Sequence, residues 1–118
     1  MNTFIIVKTQ YEGIHRYKDA PDQVSFLRDY HRHIFNIEAK IEVFHEDREL
    51  EFIMVKQKIN AYFDKLKDEY GVYNMGDQSC EMIAKRIIDL LKENYGNRKI
   101  TVSVFEDNEN GAVVEEEN

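Results

Sequence analysis

The alternation of apolar and polar residues at 31–45 constrains the fold of this chain more than any other feature. One parity carries Phe35, Ile37, Ala39, Ile41 and Val43. The other parity carries Asn36, Glu38, Lys40 and Glu42. A period of two with one apolar side predicts a half-buried strand of an antiparallel sheet. Residues 3–11 and 99–105 are rich in β-branched and apolar types, and AVVEE follows a turn at 108–111, so we expect four strands.

The apolar spacing changes to that of a helix in the middle of the chain. Residues 55–70 place apolar side chains at i, i+4, i+7 and i+8, which predicts an amphipathic helix. A second helix follows, with Asp77 or Ser79 as its N-cap and Gly96 just beyond its end. The segment order then predicts a single α+β domain over 1–118. It has a four-stranded antiparallel sheet, two helices packed on one face, a long loop over 13–30, and a frayed tail at 115–118.

The charge balance narrows the classes of partner. The 118 residues include 16 Lys and Arg against 23 Asp and Glu, a net charge of −7. An acidic chain is a poor general ligand for nucleic acid or for an anionic membrane, so we expect neither as a partner. No apolar run approaches the ~20 residues of a membrane span. A single cysteine, Cys80, excludes an internal disulfide and favours a cytoplasmic location.

Three histidines are candidates for a metal site. His31 and His33 are two residues apart in a predicted strand, so their side chains leave the same face about 6.6 Å apart. His15 lies just past the first predicted strand and reaches them if the first two strands pair. Three protein ligands with one open position is the catalytic zinc pattern. A His-x-His pair is also common as an ordinary strand feature, and the spacing alone leaves that alternative open.

Several segments in this order resemble a known family. They are Gly13-Ile14-His15, His31-Arg32-His33, Leu50-Glu51-Phe52, the run from Ser79 to Ala84, and Val102-Ser103-Val104-Phe105-Glu106. Together they cover nearly the whole chain. They resemble the 6-pyruvoyl-tetrahydropterin synthase and 6-carboxy-tetrahydropterin synthase group, which has the tunnelling fold, or T-fold.

The resemblance implies a site and an activity. It implies zinc bound by His15, His31 and His33, with Glu106 holding the ring of a reduced pterin such as dihydroneopterin triphosphate. It also implies a homo-oligomer, a trimer or a hexamer of two trimers, with sites between protomers. A triphosphate requires basic residues, and Arg32 is a candidate together with Arg16, Lys18 and Arg28. Solvated loop charges are the alternative interpretation of these four residues.

The departures from the family concern proton transfer. The family commonly carries a cysteine four residues before the first histidine of the pair, where this chain has Leu27. An Asp-His pair of the family is replaced by Glu69 and Tyr70. Arg32 stands where the family has glycine. Glu69 and Asp29 are the acids that we predict as substitutes in catalysis.

Three functions therefore remain open. The first is a zinc-dependent synthase-like lyase. The second is a protein that binds a pterin or purine-like ligand without the usual turnover. The third is an assembly module without metal.

Overall fold

A computed structural model of the chain describes residues 1–117. Its helices and strands are β1 (Thr3–His15), β2 (His31–Val43), α1 (Phe52–Asp64), β3 (Tyr73–Asn74), α2 (Cys80–Tyr95), β4 (Ile100–Glu106) and β5 (Asn110–Glu116). A short 3-10 helix, Asp22–Arg28, lies within the connection between β1 and β2. The sheet order is β3-β1-β2-β4-β5. No helix within 1–117 is long and apolar enough to cross a membrane.

The α+β class is confirmed, but the expectation of a four-stranded antiparallel sheet is wrong. A fifth strand, β3, pairs in parallel with the end of β1, Gly13 opposite Tyr73. Two residues are too few to produce a periodic pattern, which is why the sequence did not indicate this strand. The close approach of β3 to β1 depends on glycine, because a Cβ at Gly13 would lie 2.6 Å from the Tyr73 carbonyl oxygen.

Several predicted boundaries also change, and β2 and α1 end earlier than expected, at Val43 and Asp64. β1 continues four residues beyond the predicted end and includes His15. At the other end of the chain, β5 pairs with β4 as far as Glu116, so residues 115 and 116 of the expected frayed tail belong to the sheet. Asn118 lies outside the described residues.

The core lies between one face of the sheet and both helices. β2 contributes Phe35, Ile37, Ala39 and Ile41, the parity that the alternation predicted. The helices contribute Val55, Ile59, Phe63, Ile83, Ala84, Ile87, Ile88 and Leu91. Each fully buried aliphatic or aromatic side chain contributes about 1.5–3 kcal/mol to folding.

Capping fixes where α2 begins and ends. The Ser79 hydroxyl accepts a hydrogen bond from the Met82 backbone N–H, so Ser79 is the N-cap. At the other end, Gly96 has a φ of 81° and donates its N–H to the Lys92 carbonyl. The N-cap places the first turn of α2 beside the end of β1, where the candidate site lies.

A buried arginine ties the far end of the sheet to α2. Arg98 forms a paired contact with Glu49 at 3.0 and 3.1 Å, and it also donates to the carbonyls of Glu42 and Tyr95. Glu49 also accepts from the Phe44 backbone N–H at 2.8 Å. Arg98 thus joins β2, the β2–α1 loop and the C-terminus of α2.

Candidate metal centre

The β1–β2 register brings the three candidate histidines together. His15 is the direct partner of His31, and Gly13 is the partner of His33. Since His31 and His33 alternate with Arg32, both face the same side of the sheet. The ring centroids lie 4.6 Å apart for His15 and His31, 5.2 Å for His15 and His33, and 5.0 Å for His31 and His33. One nitrogen from each ring lies within 4.8 Å of the other two.

Each imidazole is held through its Nδ1 atom. The three acceptors are the Gln78 carbonyl for His15 at 2.9 Å, the Asp29 carbonyl for His31 at 2.9 Å, and the Asp107 carboxylate for His33 at 2.7 Å. Oxygens of this kind only accept, so each Nδ1 carries a proton, and in the neutral form of each ring Nε2 presents a lone pair. In a metal site, the histidine nitrogen that does not bind the metal usually donates a hydrogen bond to an oxygen in this way.

The electrostatics of the cluster suit a cation. Burial lowers the pKa of His15, against the opposing effects of the Gln78 hydrogen bond and the Glu106 charge, so the ring favours its neutral, ligating form. Glu106 Oε2 lies 2.9 Å from His15 Nε2 and 3.7 Å from His33 Nε2. Among residues 1–117, His15 Nε2 is buried and has no hydrogen-bond partner, although the Glu106 carboxylate lies close to it. A positive ion bound here would attract both the histidine nitrogens and the Glu106 carboxylate, so the residues fit a metal.

A cleft of about 660 Å³ opens beside the histidines. His15, His31 and Glu106 line it on the sheet side. The first turn of α2 supplies Ser79, Cys80, Glu81 and Met82, and the β1–β2 connection supplies Leu27. The cleft is large enough for a small organic ligand. Leu27, which stands where the resemblance implies a cysteine, therefore does face the site.

The structure separates the other predicted site residues from this cluster. Asp29 contributes its backbone carbonyl to His31, while its side chain is exposed. Arg32 points to the opposite side of β2 from the histidines and pairs with Glu12 at 2.7 Å. Glu69 is exposed in the connection between α1 and β3 and does not line the cleft.

Among the basic candidates, Arg16 and Lys18 do line the cleft. Arg16 is held by Asp77 at 2.8 Å, and Arg28 is bonded instead to Asp22 at 2.7 Å and to the Ala20 carbonyl. Two of the four basic residues are thus placed where they can contact an anionic ligand.

The one cysteine, Cys80, is buried in the wall of the cleft. Burial, and next the charge of Glu106, raise the pKa of Cys80 to about 12. A thiol with this pKa is almost entirely protonated at neutral pH.

The sequence did not indicate Gln78 and Asp107 as anchors of the histidines. Gln78 acts through its backbone carbonyl, which no side-chain pattern reveals. Asp107 follows the predicted Glu106 directly, but its role depends on a left-handed backbone with a φ of 55° that folds the carboxylate back towards β2. Asp is among the few non-glycine residues that adopt this conformation readily.

Taken together, the fold and the cluster define an α+β protein with a histidine-rich, metal-compatible cleft at one end of its sheet. No family model matches the sequence, and no curated protein matches it either. Solved structures do match. A 6-pyruvoyltetrahydropterin synthase of Plasmodium vivax, in a variant with alanine in place of a catalytic glutamate, has a TM-score of 0.72 and 14% identity. Another structure of a Plasmodium vivax 6-pyruvoyl tetrahydropterin synthase has a TM-score of 0.66 and 12% identity.

Both similarities cover 100% of this chain and 99% of the matched chain. The resemblance noted in the sequence is thereby confirmed at the level of fold. The chain has a T-fold like that of 6-pyruvoyltetrahydropterin synthase.

Proposed function

We propose that this protein is a zinc-dependent, 6-pyruvoyl- or 6-carboxy-tetrahydropterin synthase-like protein that acts on a reduced pterin such as dihydroneopterin triphosphate. The observation that carries the proposal is the convergence of His15, His31 and His33, whose rings place one nitrogen each within 4.8 Å of the others while each Nδ1 is anchored by an oxygen. Its setting in a synthase-like fold supports it further.

Zinc is the metal that this donor set favours. Three neutral imidazoles with one side open to a cleft is the arrangement of catalytic zinc sites. Zinc held there supplies Lewis-acid polarisation of oxygens on the pterin side chain. The protein contributes the fixed position of the three rings.

Glu106 is the candidate anchor for the pterin ring. Its carboxylate lines the cleft beside the histidines, with Oε2 2.9 Å from His15 Nε2. A carboxylate accepts two parallel hydrogen bonds from an amino group and an adjacent ring N–H, which is the edge that a pterin presents. A ring bound at Glu106 places its side chain next to the three histidines. Arg16 and Lys18 are positioned for the charged end of that side chain.

The remaining site residues require a neighbouring protomer in this proposal. Arg32 and Glu69 lie away from the cleft of their own chain, so they serve substrate binding and proton transfer only in a trimer or hexamer with shared sites. Exposed apolar residues on the sheet face opposite the helices support such an assembly. Ile6, Ile34 and Val113 are 52%, 40% and 58% exposed there. Asp29 remains the acid candidate nearest to the histidines in sequence.

A second function is favoured by Leu27. This side chain lines the cleft but carries no ionisable group, so it moves no proton. In this second function, the chain keeps the contacts to its ligand but lacks the proton-transfer group. It then binds a pterin or purine-like ligand without the usual turnover.

One comparison tests the proposal and separates the two functions. Zinc-loaded wild type and Glu106→Gln are titrated with a reduced pterin, and the same samples are incubated with dihydroneopterin triphosphate. We expect the pterin to bind the wild type, and Glu106→Gln to weaken binding at least tenfold while zinc is retained, because a charge-assisted pair becomes neutral. Product formation supports the lyase, and binding without product supports the second function. Equal pterin affinity for both proteins, or no affinity for either, contradicts the pterin site.

A further inference from the structure

The carboxylate of Asp107 forms two hydrogen bonds at the mouth of the metal centre. Its Oδ2 accepts from His33 Nδ1 at 2.7 Å, and its Oδ1 accepts from the Ile34 backbone N–H at 2.8 Å. The Asp107 backbone N–H also donates to the Ile34 carbonyl at 2.8 Å. Three contacts with two adjacent residues of β2 thus fix the position of this side chain.

His33 differs from the other two histidines in the kind of group that holds it. His15 and His31 are anchored by backbone carbonyls, which persist whatever side chain follows. His33 alone depends on a side chain, and that side chain is a carboxylate. A charged acceptor makes a stronger bond and increases the electron density that the ring offers through its other nitrogen.

We infer that Asp107 is a positioning residue for metal binding, which holds His33 in the Nδ1–H tautomer and directs its bare Nε2 towards the centre of the cluster. The inference rests on the proposed metal site and goes beyond it. It assigns a role to a residue that touches neither metal nor substrate.

Replacement of Asp107 by asparagine should change the tautomer of His33. The Ile34 N–H requires an acceptor, so the amide oxygen takes the place of Oδ1 and the NH₂ group turns to His33 Nδ1. Nδ1 must then accept, and the ring proton moves to Nε2, where it blocks ligation. Asparagine also tolerates the left-handed backbone at this position, so the turn itself is retained.

The experiment uses two measurements on wild type, Asp107→Asn and Glu109→Gln. Glu109→Gln is the matched control, because it removes one negative charge from an exposed position in the same turn as Asp107. Long-range ¹H–¹⁵N spectra of the metal-free proteins at about pH 8, where free histidine is neutral, report the tautomer of His33. Zinc affinity is measured by competition with a chelator. Circular dichroism establishes that each variant is folded.

We expect the Nδ1–H tautomer of His33 in the wild type and in Glu109→Gln, and the Nε2–H tautomer in Asp107→Asn. Loss of an outer-shell partner weakens metal binding by about 10–100-fold, and we expect this for Asp107→Asn only. An unchanged tautomer with zinc affinity within about twofold of wild type overturns the inference. Equal weakening in Glu109→Gln also overturns it, since charge alone then accounts for the effect. A wild type that binds no zinc is a different failure, which removes the proposed function itself.

Discussion

His15 and His31 are directly opposite each other across the β1–β2 pair, with ring centroids 4.6 Å apart, although 15 residues of connecting chain separate them. The register of one antiparallel pair therefore brings together two of the three candidate metal ligands. The period of two along β2 then supplies His33. This dependence on register makes the packing at the end of β1 a determinant of the site.

Gly13 is the position where that packing is most sensitive. A Cβ here would lie 2.6 Å from the Tyr73 carbonyl oxygen, so Gly13→Val must displace β3 from β1. We expect a loss of about 1–3 kcal/mol in the free energy of unfolding, measured by urea denaturation, as is usual for overpacking. Glu12→Ala, at the neighbouring exposed position, should cost less than about 1 kcal/mol. Equal stability of Gly13→Val and wild type would show that β3 is not packed as described.

The pair formed by Arg98 and Glu49 should control acid stability at the opposite end of the sheet. The Arg98 hydrogen bond, and next that of the Phe44 backbone N–H, lower the pKa of Glu49 below its ordinary value of 4.5. A carboxyl with a lowered folded-state pKa contributes stability above its unfolded pKa, and the contribution is lost as the pH falls through the folded value.

Glu49→Gln should therefore lower the free energy of unfolding by about 1–3 kcal/mol at neutral pH. This difference from wild type should shrink as the pH falls below 4.5, because the wild-type carboxyl becomes protonated too. Denaturant titrations at several pH values measure both effects, with the exposed Glu46→Gln as the control. A difference that does not change with pH would contradict the ionic role of Glu49.

Leu27 offers a test of the missing proton-transfer group. If the protein binds its pterin without turnover, Leu27→Cys or Leu27→Glu places an ionisable group on the cleft wall. General acid–base groups contribute about 10²–10⁴-fold to rate, so a gain of at least tenfold in product formation is a cautious expectation. Leu27→Met, which is apolar and similar in size, should give no gain. The same low rate in all three variants would argue that proton transfer is not what limits this site.

Cys80 should be unreactive despite its place in the cleft. Its pKa of about 12 leaves little thiolate at neutral pH. We expect an aromatic disulfide reagent to modify the folded protein at least about a hundredfold more slowly than the denatured protein. Rapid modification of the folded protein would contradict both the burial and the raised pKa.

Much of the fold follows from periodicity. The alternating residues of β2 and the helical spacing of α1 and α2 identify most of the core, because burial on one face imposes these periods directly. β3 was not predicted, since a strand of two residues has no period and is stabilised by a tertiary contact at Gly13. The helix predicted over 55–70 is also too long, because a tertiary contact that the periodicity does not reveal takes over after its end. α1 ends at Asp64, and the Leu66 carbonyl instead accepts from the N–H of Asn74 in β3.

The clustering of the three histidines could be predicted from the sequence, but the groups that hold their rings could not. His31 and His33 share a face by strand geometry, and His15 follows once β1 and β2 pair. The anchors of these rings are two backbone carbonyls and a carboxylate on a left-handed residue. Backbone carbonyls have no sequence signature, and the direction of Asp107 is set by a turn. The resemblance to the synthases, in contrast, drew attention to Glu106, whose carboxylate lies 2.9 Å from His15 Nε2.

The zinc content of the purified, untagged protein tests the central claim most directly. Wild type and His31→Ala are dialysed against equimolar zinc, cobalt and magnesium, and the bound metals are quantified by mass spectrometry. We predict about one zinc per wild-type chain and a large loss in His31→Ala, because two imidazoles do not complete a zinc site. Folded wild-type protein without bound zinc, or His31→Ala with the wild-type zinc content, would contradict this prediction.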